Sequence, residues 1–439
     1  MPRSTRGTRR TRTRLLAALG AGVTAAAVLL TAGGATQAQA QGTGRGAGVH
    51  EVEYFAGPHA RPRHIEVDTR AGHASAATDP QVRPARRTGP TASRLDLVVM
   101  GDGYTADRQA DFAADAREKL EEIFSIEPYR SYRPLFNVWL VEAVSPVSGV
   151  TGDPTPDVIR ETALGSSFFC EDIERLLCVD TDAVTAYANR APAADIVFVI
   201  ADSAKYGGAG YSFETPPEGA SYRGIATMSS DNERSWLIGA HELGHSIGNL
   251  ADEYQYAGYG AYPDPETGSV NLSVRPGLGT TKWHRWLGEP DPTGSPVGTY
   301  EGGGYYETGI YRPTETSIMR TLTSTEFNLV GREAMIAGFY TYADALTSRV
   351  PTKAPVSRNA RLTVDVAPLT GLAAPRLTWY ADGRRVDRAT DDRSVTPREL
   401  GVRGKGPHTV EAVFTDGSAS LRDPGARAAA GNSLTWWMR

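Results

Sequence analysis

Two histidines four residues apart, His241 and His245, with Glu242 directly after the first, constrain this chain more than any other feature in it. At that spacing both imidazoles lie on one face of a helix and can meet one cation about 2.0–2.1 Å from each ring nitrogen, with the glutamate beside them. Trp236, Ala240, Leu243 and Ile247 form an apolar stripe roughly opposite the histidines, so one face is expected to pack while the other binds. Ser230 and Glu233 have the spacing of a capping box and Gly248 is a natural terminator, which would bound the helix. With 8 His in 439 residues, the H-E-x-x-H pattern arises by chance in about one such chain in a hundred. A metal site is therefore the reading to carry forward.

A catalytic zinc keeps three protein ligands and leaves the fourth position open. Where a glycine turns the chain after the second histidine, the third ligand is expected six residues beyond that histidine, and Ala251 stands there with no donor to offer. Asp252 is the nearest oxygen ligand, Glu253 competes with it, and His284 is the one other histidine in the central part of the chain. Glu242 is expected to act as general base, taking a proton from the attacking water and delivering it to the leaving amine. A tyrosine is expected to steady the oxyanion; Tyr254, Tyr305, Tyr306 and Tyr311 are candidates, and Tyr311 is preferred for its place in a downstream loop. Asp264 and Glu266 leave a calcium site open as well.

The first 14 residues hold six arginines and no acid, residues 15–35 are apolar and rich in Ala and Gly, and Ala38, Gln39 and Ala40 follow. This is the pattern of a secretory leader with a small-residue exit, handled by the general route or by twin-arginine export, and it points to a released protein without a stable membrane anchor. Its removal would take away six positive charges and no negative ones, moving the formal net charge from -5 to -11. Such an acidic product is a poor partner for nucleic acid or an anionic membrane. Cys170 and Cys178, the only cysteines, are expected to pair across a short loop in an exported chain.

About 400 residues beyond the leader exceed a single core. Residues 41–93 combine a Gly-rich run, strand-like stretches at 50–55 and 64–67, and a Pro, Ala, Arg and Thr tract; they form a short β segment and linker, and a candidate prosegment in which Asp68 or Asp79 would reach the metal. Residues 94–350 are expected to be the catalytic domain. Residues 95–100 form a strand ending in a Gly101, Asp102, Gly103 turn that is read as structural, 106–124 a helix, and 136–144, 195–201 and 225–229 further strands, the last serving as the edge along which a peptide lies. Residues 351–439 alternate in the manner of a small β-sandwich, with Trp379 and Tyr380 read as exposed or core aromatics of that domain rather than the lining of a ligand groove. The fold class is thus an α/β (α+β) zincin-like domain with a mixed sheet and an active-site helix, between two β segments. Oligomeric state is left open.

Residues 94–345 carry a distinctive set of motifs: GDGYT at 101–105, FNV at 136–138, ERLL at 174–177, HELGHSIGNLADEY at 241–254 and YRPTETSIMR at 311–320. In these the chain resembles the immunoglobulin A peptidase family of secreted zinc metallopeptidases. The resemblance implies one zinc at His241 and His245, Glu242 as the catalytic residue, the acidic cluster at Asp252 as the third-ligand region, and Met319 as the methionine turn beneath the metal. It implies a protein or peptide substrate. Immunoglobulin A itself is not carried over, and a general secreted endopeptidase is the expectation. Two other classes use the same residues: a secreted β-rich adhesion protein with a structural zinc, which has no use for Glu242, and a zinc-dependent amidase.

Overall fold

The computed structural model describes residues 49–57, 59–69, 74–75, 79–213, 215–404 and 406–438, so the expected leader and the Gly-rich run after it lie outside the described residues. Eight strands build the main sheet: Val49–Tyr54 (β1), Arg63–Asp68 (β2), Val82–Arg86 (β3), Leu95–Asp102 (β4), Phe136–Val141 (β5), Ile196–Ala201 (β6), Gly208–Ser212 (β7) and Gly224–Ser229 (β8). Their order is β2-β1-β7-β8-β6-β4-β5-β3. The four inner strands β8, β6, β4 and β5 run parallel, while β7, β1 and β2 on one side and β3 on the other are each antiparallel to the neighbour nearer the centre.

Parallel strands are covered on both faces, so they read as nearly unbroken apolar runs. All residues of β4, β5, β6 and β8 are buried. Leu95, Leu97 and Val99 enter one core; Val98 and Met100 enter the other. Helices Gln109–Ile123 (α1), Tyr129–Tyr132 (α2), Trp236–Gly248 (α4) and Leu329–Tyr342 (α5) pack into the first core, and Thr181–Ala188 (α3) into the second.

The chain beyond α5 joins that first core. Leu346–Ser348 (β11), Leu362–Val366 (β12) and Ser394–Val395 (β15) form one sheet. Pro375–Ala381 (β13), Arg384–Arg385 (β14), His408–Asp416 (β16) and Gly431–Met438 (β17) form another, with the short helix Pro424–Ala429 (α6) before β17. Trp379 is fully buried and stacks on Trp436 at 5.8 Å, as expected of a core aromatic. Asp416 accepts hydrogen bonds from Tyr132 (2.6 Å) and Tyr340 (3.0 Å), tying β16 to α2 and α5. A two-stranded ribbon, Tyr300–Gly303 (β9) and Tyr306–Arg312 (β10), precedes α5.

The strand and helix positions read from periodicity agree with the structure, and three assignments are corrected. Residues 225–229 are not an edge strand, because β7 covers β8 on the side away from β6. The β segment at 49–68 does not stand apart: it is a hairpin that joins the main sheet through β1 and β7. The linker tract contains β3, paired with β5, whose Pro84 suits an edge position. Cys170 and Cys178 form the expected disulfide. Among the described residues, no helix is long and apolar enough to cross a membrane.

The Gly101, Asp102, Gly103 turn is structural, as its reading proposed. The fully buried Asp102 carboxylate accepts from Ser145 Oγ (3.1 Å), Thr162 Oγ1 (2.7 Å) and the backbone amides of Leu164 (2.9 Å) and Ser166 (2.8 Å). It organises the loop after β5 by satisfying donors that water cannot reach. Asp102→Ala strands four buried donors and is expected to lower unfolding free energy by about 3 kcal/mol or more, measured by guanidinium unfolding; a loss under about 0.5 kcal/mol would contradict this role.

Candidate metal centre and active site

Helix α4 carries the histidines, and its ends differ from expectation. It begins at Trp236, not after Ser230, because residues 230–235 turn away from β8: Ser235 Oγ donates to the carbonyls of Ser229 (2.6 Å) and Asn232 (3.0 Å). At its far end the left-handed residue is Asn249 (φ 49°), one past Gly248. Close approach, rather than termination, is the use of two glycines here. A Cβ on Gly244 would lie 2.5 Å from Met319 Sδ, which puts the buried Met319 directly against the histidine helix. A Cβ on Gly210 of β7 would fall within 2.3 Å of three Glu242 carboxyl atoms.

Each histidine is aimed by a backbone carbonyl. His241 Nδ1 lies 2.9 Å from Ile318 O and His245 Nδ1 2.8 Å from Leu250 O, so both Nδ1 atoms donate and both Nε2 atoms are left facing each other at 3.0 Å. The chain between α4 and the third donor is fixed by Asn271, whose side chain accepts from Ala251 N and donates to Ala251 O, each at 2.8 Å. This clamp holds Ala251 as backbone and turns the next residue, Asp252, inward.

Asp252 Oδ1 lies 3.2 Å from His241 Nε2 and 3.5 Å from His245 Nε2. A fourth donor, absent from the sequence reading, closes the group: Glu53 of β1, with Oε2 3.2 Å from His245 Nε2 and 3.5 Å from His241 Nε2. Glu53, His241, His245 and Asp252 together form a set able to hold a metal ion. Tetrahedral ligands about 2.0–2.1 Å from zinc stand about 3.3 Å from one another, close to the 3.0–3.5 Å between the two histidine nitrogens and from each of them to the two carboxylate oxygens. Asp252 Oδ1, the oxygen turned toward the histidines, is buried without a hydrogen-bond partner, as is Glu242 Oε1 beside them. The residues fit zinc.

The outer oxygens are held by tyrosines. Tyr305 donates to Asp252 Oδ2 (2.8 Å) and Tyr254 to Glu53 Oε1 (3.0 Å), while His64 Nε2 of β2 stands 2.8 Å and 3.1 Å from those two hydroxyls. Tyr311 lies on β10, paired with Glu301 and bridged to Ser273. The carboxylate of Glu253 accepts from Ser317, Asn271 and Asn328, and His284 Nδ1 faces Thr281 O, so neither competitor joins the cluster. Asp79 pairs with Arg190, and Asp68 ends β2 opposite Val49; the acid from the N-terminal segment that arrives is Glu53.

Charge sets the protonation of this group. Burial lowers the basicity of His245, but the Asp252 and Glu53 carboxylates outweigh it and carry the ring up to about 9; His241 is raised in the same way. Burial pushes Glu53 and Asp252 up, and the two imidazoles overcome it, leaving Glu53 at about 2 and Asp252 well below the usual carboxylate range. Glu242 goes the other way, raised to about 8 by burial and by the Glu53 charge. Without a metal, protons on the histidines must balance the two carboxylates; a dication would serve both.

Residues 84–296 and 289–339 match the IgA peptidase M64 family. The chain belongs to this family. The region matched by the M64 family runs from β3 through most of α5 and contains His241, Glu242, His245 and Asp252, whereas Glu53 and His64 precede it. No curated protein matches the chain. Among solved structures, metalloproteinase-II from Bacteroides fragilis is similar over 44% of this chain and 53% of its own, at 11% identity and a TM-score of 0.22, so the chain spans about half the length of that protein.

Zinc added to chelator-treated protein is expected to raise its thermal midpoint, a stabilisation of about 4 kcal/mol at a thousandfold excess over Kd. Asp252→Ala should remove most of that gain and His284→Ala none; equal losses in calorimetric scans would place the third donor elsewhere. Gly210→Ala should cost about 1–3 kcal/mol by forcing a methyl group into the Glu242 carboxyl, read by chemical denaturation.

Proposed function

We propose that this chain is a secreted zinc metalloendopeptidase, with His241, His245 and Asp252 holding the metal and Glu242 handling the proton. The observation that carries this reading is Glu242 itself: a buried carboxyl with an unpartnered oxygen, next to a donor set spaced for zinc. A structural zinc, as in an adhesion module, gives no reason to bury such a group.

When bound, zinc supplies Lewis acidity toward a water molecule and a peptide carbonyl. Glu242 Oε1 accepts the proton of the attacking water and returns it to the amine nitrogen as the peptide bond breaks. Gly210 lets β7 approach this carboxyl, which brings the backbone of a peptide paired with β7 close to the proton carrier. The Tyr305 hydroxyl, bonded to Asp252 beside the donor set, joins Tyr311 as a candidate to steady the developing oxyanion.

An extended peptide is the substrate class favoured by β7, since that strand pairs antiparallel with an extended segment through residues 209–211. The Cys170–Cys178 disulfide supports an exported location. Glu242→Gln should keep zinc while lowering peptide hydrolysis by about 10²–10⁴-fold, measured on a proteome-derived peptide mixture in both the parent and a Glu53→Ala background. A Glu242→Gln protein that cleaves as fast as its own background would end this reading.

A further inference from the structure

The place expected for a substrate strand is already taken by the chain itself. Val52, Glu53 and Tyr54 of β1 pair antiparallel with Tyr211, Gly210 and Ala209 of β7. This register sets Glu53 opposite Gly210, the residue against which the Glu242 carboxyl rests. Directly across the hairpin from Glu53 is His64, and both side chains turn into the cluster. Phe55 follows on the same face and sets its ring edge-on to His241 at 5.2 Å.

The hairpin also reaches the opposite wall. Arg61 donates to Gln255 O and Tyr256 donates to Pro62 O, each at 2.5 Å, so the segment spans from β7 to the loop after Asp252. Under it the site is nearly closed: His241, Asp252 and Glu242 are 0%, 2% and 6% exposed, and His245 alone of the group is part-buried. A catalytic zinc needs an open fourth position, and a zinc held by His241, His245 and Asp252 would have Glu53 Oε2 within reach as its fourth donor. The M64 match begins at residue 84, after the hairpin has ended.

We infer that the β1–β2 hairpin is a resident plug of the active site, in which Val52–Phe55 occupy the substrate strand and the Glu53 carboxylate occupies the fourth metal position, so that the hairpin must leave before a peptide can bind. This rests on the metallopeptidase reading above. Substrate and hairpin compete for one strand edge and one coordination site. A plug in place 99% of the time weakens the apparent affinity of any cleft ligand about 100-fold.

The test loads full-length parent, Glu53→Ala and Glu53→Gln proteins with cobalt(II) and titrates each with a peptide hydroxamate, following heat of binding and the visible cobalt spectrum. Glu53→Gln keeps the side-chain volume, which guards against a folding defect in Glu53→Ala. The expected result is metal uptake by all three, little response from the parent, and at least 100-fold tighter hydroxamate binding with a spectral shift in the variants. If all three take up cobalt and bind the hydroxamate alike, the plug is refuted while the metallopeptidase reading stands. If both variants lose the metal, Glu53 is an obligatory ligand and the plug is again refuted. If none binds metal, both readings fall together.

Discussion

Two carboxylates and two imidazoles converge on one largely buried point, where the carboxylate charge must be met by protons on the rings or by a bound cation. Much of the surrounding architecture serves that convergence. The carbonyls of Ile318 and Leu250 orient the rings, Asn271 turns Asp252 inward, and Tyr305 and Tyr254 hold the outer carboxylate oxygens. Met319 closes the helix from below against Gly244, where any larger residue would push the two apart. The binding geometry is thus a property of several loops held against one helix.

The one-residue offset at Ala251 has a physical basis in that support. Asn249, directly after the helix, turns the chain through a left-handed conformation, Leu250 gives its carbonyl to His245, and Ala251 is clamped on both backbone atoms by Asn271. The next side chain, Asp252, therefore points to the metal position, while Glu253 points away into a polar nest of Ser317, Asn271 and Asn328. Adjacent acids take different roles because successive side chains of this extended segment face opposite ways.

Local pattern made a good part of this legible. The apolar runs of β4, β5, β6 and β8 announced buried strands, and the stripe at Trp236, Ala240, Leu243 and Ile247 announced the helix; both signals arise within a few residues of chain. Glu53 and His64 carried no such signal. Each sits in a short, ordinary strand; Glu53 is buried through the pairing of β1 with β7 more than 150 residues away, and the part-buried His64 arrives with it across the hairpin. For the same reason β8 passed for an edge: strand order is a long-range property that composition does not encode.

By itself, the sequence determined the helix that carries His241, Glu242 and His245 and the short list of acids that could complete a donor set with them, since helical spacing and donor chemistry are local. Only the tertiary structure decided which acids converge and what lies across them. That choice rests on strand register and on backbone clamps such as Asn271 on Ala251, contacts between segments far apart in the chain, whose geometry exists only once the sheet has formed.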